Sequence, residues 1–341
     1  MHNEHHIHSL EALRALIPSP PAMMHKRLQR ALDDYCLTII HQASLCAVGF
    51  IDDALDVTYL DLRNHPVLQA EGQDILLRWP ASKPAPQLPP EELACSLYFV
   101  MPGVGFSLRA NGRCVLQADA SGKVLAFRAE ALFLHCSRAK VRADFWQARG
   151  PGQPFVAEEG DALSARALAF VAQAPYLLML TRQGEHTELS PRGDPEGFVQ
   201  PLGPSTLLIP ERPGNKVACT LTNIIEDGAL RLSLIHPGSS TVLSVAGRAW
   251  LTSDPEVLKP LAVNNKAPKV ASVLEVERYR FQHCPELISA GLWDSATYLP
   301  EDAIPAFSKM LSEHMNGRGL LGKATTLVVD AVVKHDLKHL Y

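Results

Sequence analysis

The feature that most constrains this chain is that it repeats itself. Residues 98–119, YFVMPGVGFSLRANGRCVLQAD, align without a gap to residues 233–254, SLIHPGSSTVLSVAGRAWLTSD, at an offset of 135. Both carry a Pro-Gly turn (Pro102-Gly103, Pro237-Gly238), an alternating strand, a Gly-Arg pair (Gly112-Arg113, Gly247-Arg248) and an aspartate (Asp119, Asp254). The echo continues downstream, where His135-Cys136 and His283-Cys284 precede Trp146 and Trp293. Several features in one order in both halves point to an internal duplication.

Each half reads as a helix followed by short strands. Apolar spacing predicts helices over about 22–42 and 162–173. Strands are expected at 176–181, 205–210, 231–236, 241–252 and 272–282, rich in β-branched and large apolar residues and bounded by Gly, Pro and Asp. The four prolines of 81–90 exclude an ordinary central strand there. Five or six strands per half predict a small antiparallel barrel with flanking helices, mainly β overall. Two such barrels in tandem amount to a fused two-fold dimer, with sites of interest between the halves. The expected divisions are a flexible tail over 1–21, a first barrel over 22–148, a linker over 149–161, a second barrel over 162–316 and an extension over 317–341.

Composition narrows the function. The 341 residues are 47% apolar and 20% charged, as in a globular chain, with a net charge of −4. A nucleic-acid partner would need a basic surplus that is absent. No apolar run reaches the length of a membrane span, and the first twenty residues lack a signal-peptide core. The histidines His2, His5, His6 and His8 read as part of a solvated tail rather than a metal-binding tract. Seven cysteines, an odd count without CxxC, argue against a disulfide framework or a zinc knuckle. They suit a reducing compartment, so the cytoplasm is the expected location and no metal is expected.

The densest chemistry lies in ELSPRGDPEGFV (188–199) and LLIPERPGNKV (207–217). The first places Ser190, Arg192, Gly193 and Asp194 at a tight turn after a strand. The second places Arg212, Gly214, Asn215 and Lys216 on another. Glycines admit a close ligand, Arg offers a planar fork of donors and Lys a point charge, a combination suited to phosphate. Two hairpin turns with solvated arginines would read the same way from spacing alone.

These segments, with HPG…GRAWLTSDP, the LEVE strand and the HC…W ending, resemble the flavin-nucleotide-binding branch of the pyridoxamine 5′-phosphate oxidase-like family. The likeness covers most of 162–296 and recurs, worn down, over about 22–146. It implies tandem FMN-binding-type split β-barrels in a pseudo-dimer. The copies depart from the pattern in complementary ways. At an offset of 132, Leu60 and Asp61 stand where the second copy has Arg192 and Gly193, and Pro80 stands for Arg212. The first copy keeps Arg138, Lys140, Arg142 and Trp146 after its HC pair, where the second has Pro285 and Glu286.

The resemblance therefore implies one composite FMN site, formed by Ser190, Arg192, Gly193, Arg212, Asn215 and Lys216 with Arg138, Arg142 and Trp146, and a dead mirror site. It implies an FMN-dependent oxidoreductase with a small-molecule substrate and an electron donor or acceptor. The alternatives are a non-catalytic flavin carrier or sensor, and a haem-binding or haem-degrading relative. His135 and His283 are expected to be structural, Asp194 to orient Arg192 or shape the turn, and His186 to stand near a flavin edge only as a minor reading. His335 and His339 lie in a closing segment expected to pack on a barrel or a dimer partner. No catalytic residue is singled out, and further association into homo-oligomers stays open.

Overall fold

The computed structural model describes residues 3–50, 57–83, 92–120, 122–150, 152, 154–317 and 319–341. Most of the proline run at 81–90 lies outside the described residues. In chain order, β1 (His6–Ile7), α1 (Leu10–Leu16) and α2 (Asp34–Gln42) precede a first group of strands. These are β2 (Leu45–Phe50), β3 (Thr58–Asp61), β4 (Val67–Glu71), β5 (Asp74–Trp79), β6 (Leu93–Val100), β7 (Ser107–Asp119) and β8 (Gly122–His135). Then come α3 (Arg138–Arg142), β9 (Glu159–Gly160) and α4 (Ala165–Gln173). The second group is β10 (Tyr176–Gln183), β11 (His186–Gly193), β12 (Gln200–Pro201), β13 (Thr206–Pro210), α5 (Cys219–Glu226), β14 (Ala229–Ile235), β15 (Thr241–Thr252), α6 (Pro255–Leu258) and β16 (Ala271–His283). Helices α7 (Glu286–Ser289), α8 (Phe307–Asn316) and α9 (Leu320–Lys338) follow.

The fold is mainly β: two curled antiparallel sheets with helices around them. The first sheet runs β3-β2-β6-β7-β8-β5-β4, and the second β11-β10-β14-β15-β16-β13-β12, so the strands fall in the same order. In the second, β1 adds beside β15 and β9 beside β16. The longest hairpin of each sheet shifts register at one place, Asn111/Gly112 and Ala246/Gly247. A Cβ on Gly112 would lie 1.9 Å from the Arg128 carbonyl oxygen, and one on Gly247 would lie 1.8 Å from that of Glu275. The bulge brings backbone onto backbone, and this explains the glycine of both Gly-Arg pairs.

Each sheet rolls around its own apolar core. The first gathers Ile39, Phe50, Leu60, Leu77, Phe99, Leu108 and Phe127; the second gathers Val171, Leu177, Leu207, Leu232, Leu243 and Phe281. A third cluster joins the two sheets through Leu45, Tyr59, Tyr98, Tyr176, Leu178, Leu189 and Val242. Here β11 crosses β2, β6 and β7. The Leu189 N–H donates to Ser96 Oγ at 3.0 Å, and Gly49 admits Leu180 and Leu189 where a Cβ would stand 2.7 Å from Leu180 Cδ1.

Three expectations change. Helix over 22–42 is split into a 3₁₀ segment (Ala22–Arg27) and α2, because Asp33 caps α2 by accepting from the Cys36 N–H at 2.8 Å. The described residues of 1–21 are not a free tail: β1 pairs with β15, and Ile7 and Leu13 enter the second core. Their burial supplies the apolar drive that a polar-looking tail was not expected to have. The end of the second division crosses over in the other direction, since Ile304 and Met310 enter the first core. All seven cysteines are free. Among the described residues no helix is long and apolar enough to cross a membrane.

Candidate functional site

A cavity of about 120 Å³ lies between the halves. The second sheet contributes β11 and the turn after β13, while the first contributes the end of β8 and α3. Alternation on β11 sends Glu188, Ser190 and Arg192 to one side. All three line the cavity, with Asp194 just beyond. Helix α3 brings Arg138 and Arg142 opposite the 211–215 turn. Arg138 donates to the Pro213 carbonyl at 3.1 Å, and Arg142 donates to the same oxygen at 2.7 Å. The close approach depends on Gly193, where a Cβ would stand 2.0 Å from the Ala139 carbonyl oxygen.

The charge balance is strongly positive. Arg27, Arg109, Arg138, Arg142, Arg192 and Arg212 line the cavity against Glu188, Asp194 and Glu211, six guanidinium groups to three carboxylates. Buried Arg212 donates through Nε to Asp194 Oδ2 at 2.6 Å. Arg192 pairs with Glu211 at 3.1 Å. Arg109 donates to Ser190 Oγ at 2.6 Å and lies 3.1 Å from Glu188 Oε1. The Ser190 hydroxyl in turn donates to Glu188 at 2.8 Å. Burial and the cations Arg109, Arg192, Arg27 and Lys140 push the His135 imidazole well below its ordinary pKa, so it is neutral. A neutral, encircled histidine leaves the cavity's positive charge to arginine.

The structure brings together Ser190, Arg192, Gly193, Arg212, Asn215, Arg138 and Arg142. Lys216 is exposed and faces a neighbouring cavity of about 360 Å³. Trp146 lines neither cavity; it packs against Phe145 and Tyr298 because the chain turns inward after α3. Asp194 holds Arg212, not Arg192. His186 is exposed, 3.3 Å from Glu130, and lies outside the arginine cavity. His283 stacks on Phe155, and His335 stacks on His339, which keeps them outside the arginine cavity too. Arg27, Arg109, Glu188, Phe133 and Cys219 also line the cavity, and no sequence motif marks them. Arg109 had one signal, a charge at an inward position of an alternating strand; Arg27 had none.

In the first sheet β3 takes the place in strand order that β11 has in the second. There α7 packs against β3. Ser289 donates to Asp61, Lys83 pairs with Glu286 at 2.6 Å, and Leu287 is fully buried.

Lys140 on α3 gives a prediction here. Its ammonium is buried, has no carboxylate partner among the described residues, and donates to Ser107 Oγ at 2.7 Å. Burial lowers its pKa from 10.5 to about 7. The unfolded chain then binds the proton more tightly between those values. The cost is fully present below pH 7 and is relieved as pH rises toward 10.5. Lys140→Met is expected to stabilise the fold by ~1–3 kcal/mol at pH 6, with the gain shrinking at pH 9.5. Urea unfolding at both pH values checks this, and an equal shift at both would refute it.

No family profile matches the sequence, and no curated protein matches it. Solved structures similar to parts of it include three from bacteria. HupZ of Group A Streptococcus is 14% identical and covers 36% of this chain and 94% of its own, at a TM-score of 0.31. A candidate pyridoxamine 5′-phosphate oxidase from Lactobacillus delbrueckii is 18% identical and covers 35% and 94%, at 0.28. A NimC/NimA family protein from Clostridium acetobutylicum is 16% identical and covers 33% and 79%, at 0.24.

Proposed function

We propose that this chain is an FMN-binding flavoprotein of the pyridoxamine 5′-phosphate oxidase-like type, built by internal duplication and holding one composite site. The observation that carries the reading is the meeting of α3 from the first half with the 211–215 turn of the second, in a cavity lined by six arginines. The packing of α7 on β3, with Ser289 bonded to Asp61, supports a single site. The common strand order and the matching glycine bulges support the duplication.

The donor set fits a phosphate. Guanidinium forks from Arg138, Arg142, Arg192 and Arg212 would hold the phosphate oxygens, as charge-assisted bonds favour. The ring needs more room, since 120 Å³ is below the roughly 300 Å³ at which sites for such ligands begin. The adjoining 360 Å³ cavity shares Arg212, Pro213, Gly214 and Asn215 as walls and supplies it. Bound flavin would supply hydride or electron transfer between a small-molecule substrate and an electron donor or acceptor. The chain's own part is to anchor the phosphate in the arginine cavity, beside a neutral His135, and to seat the ring in the adjoining cavity.

The visible spectrum of the purified protein tests this, with released cofactor quantified per chain. Flavin bands with one FMN per chain are expected. Two FMN per chain would refute the single site, and a Soret band without flavin would favour the haem alternative. A protein that stays colourless and takes up no FMN would end the flavoprotein reading.

A further inference from the structure

Tyr341 lines the 360 Å³ cavity, reaches Asp194 of the arginine cavity and is held there by the site itself. Its hydroxyl donates to Asp194 Oδ1 at 2.7 Å. The guanidinium carbons of Arg142 and Arg212 lie 5.6 Å and 5.7 Å from its ring centroid. Arg142 Nε donates to the Leu340 carbonyl at 2.9 Å, and Lys266 Nζ donates to the Tyr341 main-chain oxygen at 3.2 Å. A planar ring beside two guanidinium groups, giving a hydrogen bond to a buried carboxylate, is how such a site would receive a ligand ring.

We propose that Arg142, Arg212 and Asp194 form a subsite for a planar ring bearing an O–H or N–H donor, and that Tyr341 is its resident occupant, displaced when ligand binds. The proposal rests on the flavin reading for the identity of the incoming ring, but not for the seating of Tyr341. Asp194 is fully buried, so a ring that removes the Tyr341 hydroxyl must replace its hydrogen bond. A ligand ring with its own donor does so, and a bare phosphate does not. The site is thereby selective for a phosphate that carries such a ring. Helix α9 packs on α8 and leads directly to the segment. That tether keeps Tyr341 at high effective concentration beside its seat.

The test uses the full chain with Tyr341→Ala and Tyr341→Phe. FMN is titrated and the quenching of its fluorescence followed. Because the seated form does not bind ligand, Tyr341→Ala is expected to bind FMN about tenfold more tightly, with Tyr341→Phe between it and the parent. Equal or weaker binding by Tyr341→Ala overturns the proposal, since Tyr341 would then be a bystander or a wall of the site. A second readout needs no flavin: nitration of Tyr341 by tetranitromethane, mapped by mass spectrometry. Arg142→Met is expected to speed nitration about fivefold by loosening the seat. Equal rates overturn the seating whatever FMN does. If no variant binds FMN, the flavin reading falls, and faster nitration in Arg142→Met still upholds the seating.

Discussion

Arg212→Met is expected to lower the stability of the fold by about 3 kcal/mol and to abolish retention of FMN. The side chains of Arg212 and Asp194 are 7% and 1% exposed, and their contact is 2.6 Å. Removing the guanidinium strands a carboxylate that water cannot reach, with only the Tyr341 hydroxyl left to it among the described residues. Arg192 makes the contrast. It pairs with Glu211, and both are about one-fifth exposed, so water can take over when it is lost. Arg192→Ala should therefore weaken FMN binding while costing under about 1 kcal/mol of stability. Replacing both members of the buried pair, Arg212→Met with Asp194→Leu, should recover most of the stability without recovering FMN. Leu60→Ala, at the corresponding place of the first sheet, should cost about 2–5 kcal/mol through a cavity while leaving flavin affinity intact. Urea unfolding and FMN titration of the four variants separate these outcomes. An unfolding midpoint for Arg212→Met equal to the parent's would refute the buried-pair argument.

The strands of the second half were legible because alternation and turn residues agree there. Segments 176–181, 205–210, 231–236, 241–252 and 272–282 all lie within or next to observed strands. Residues whose role depends on distant partners were not legible. Nothing near Arg27 in sequence signals that it will stack at 5.3 Å from Phe133 and line a cavity with β11. Trp146 follows α3 by four residues, and no local pattern says that the chain turns it toward Tyr298 instead of the cavity. The crossing of the chain ends has no local signal either. Leu13 and Met310 each fill the core of the half more distant in sequence, and periodicity predicts burial without naming the partner. The SPRGD and RPGN turns were visible because their glycines and cations are local. Their convergence with α3 is tertiary.

Gly193 carries that convergence, and Gly193→Ala is expected to cost about 3 kcal/mol. Its cause is space rather than backbone freedom. The added Cβ would lie 2.0 Å from the Ala139 carbonyl oxygen and 3.0 Å from Ala143 Cβ, so α3 must move off the end of β11. Backbone cannot rotate aside as a long side chain can. Displacing α3 carries Arg138 and Arg142 away from Pro213, so FMN affinity should fall with stability. Gly184→Ala isolates the other mechanism. Gly184 has φ of +55° and nothing near its missing Cβ, so the change should cost only about 1 kcal/mol and leave FMN untouched. Asp61, at the corresponding position of the first sheet, shows the alternative packing: the facing helix leaves room for a side chain and answers it with the Ser289 hydroxyl. Glycine on one side and aspartate on the other thus separate a helix whose backbone meets the strand, with its arginines over a cavity, from one that bonds to the strand's side chain. If Gly193→Ala unfolds no more readily than Gly184→Ala, α3 is not seated on β11, and the composite site built on that contact is lost with it.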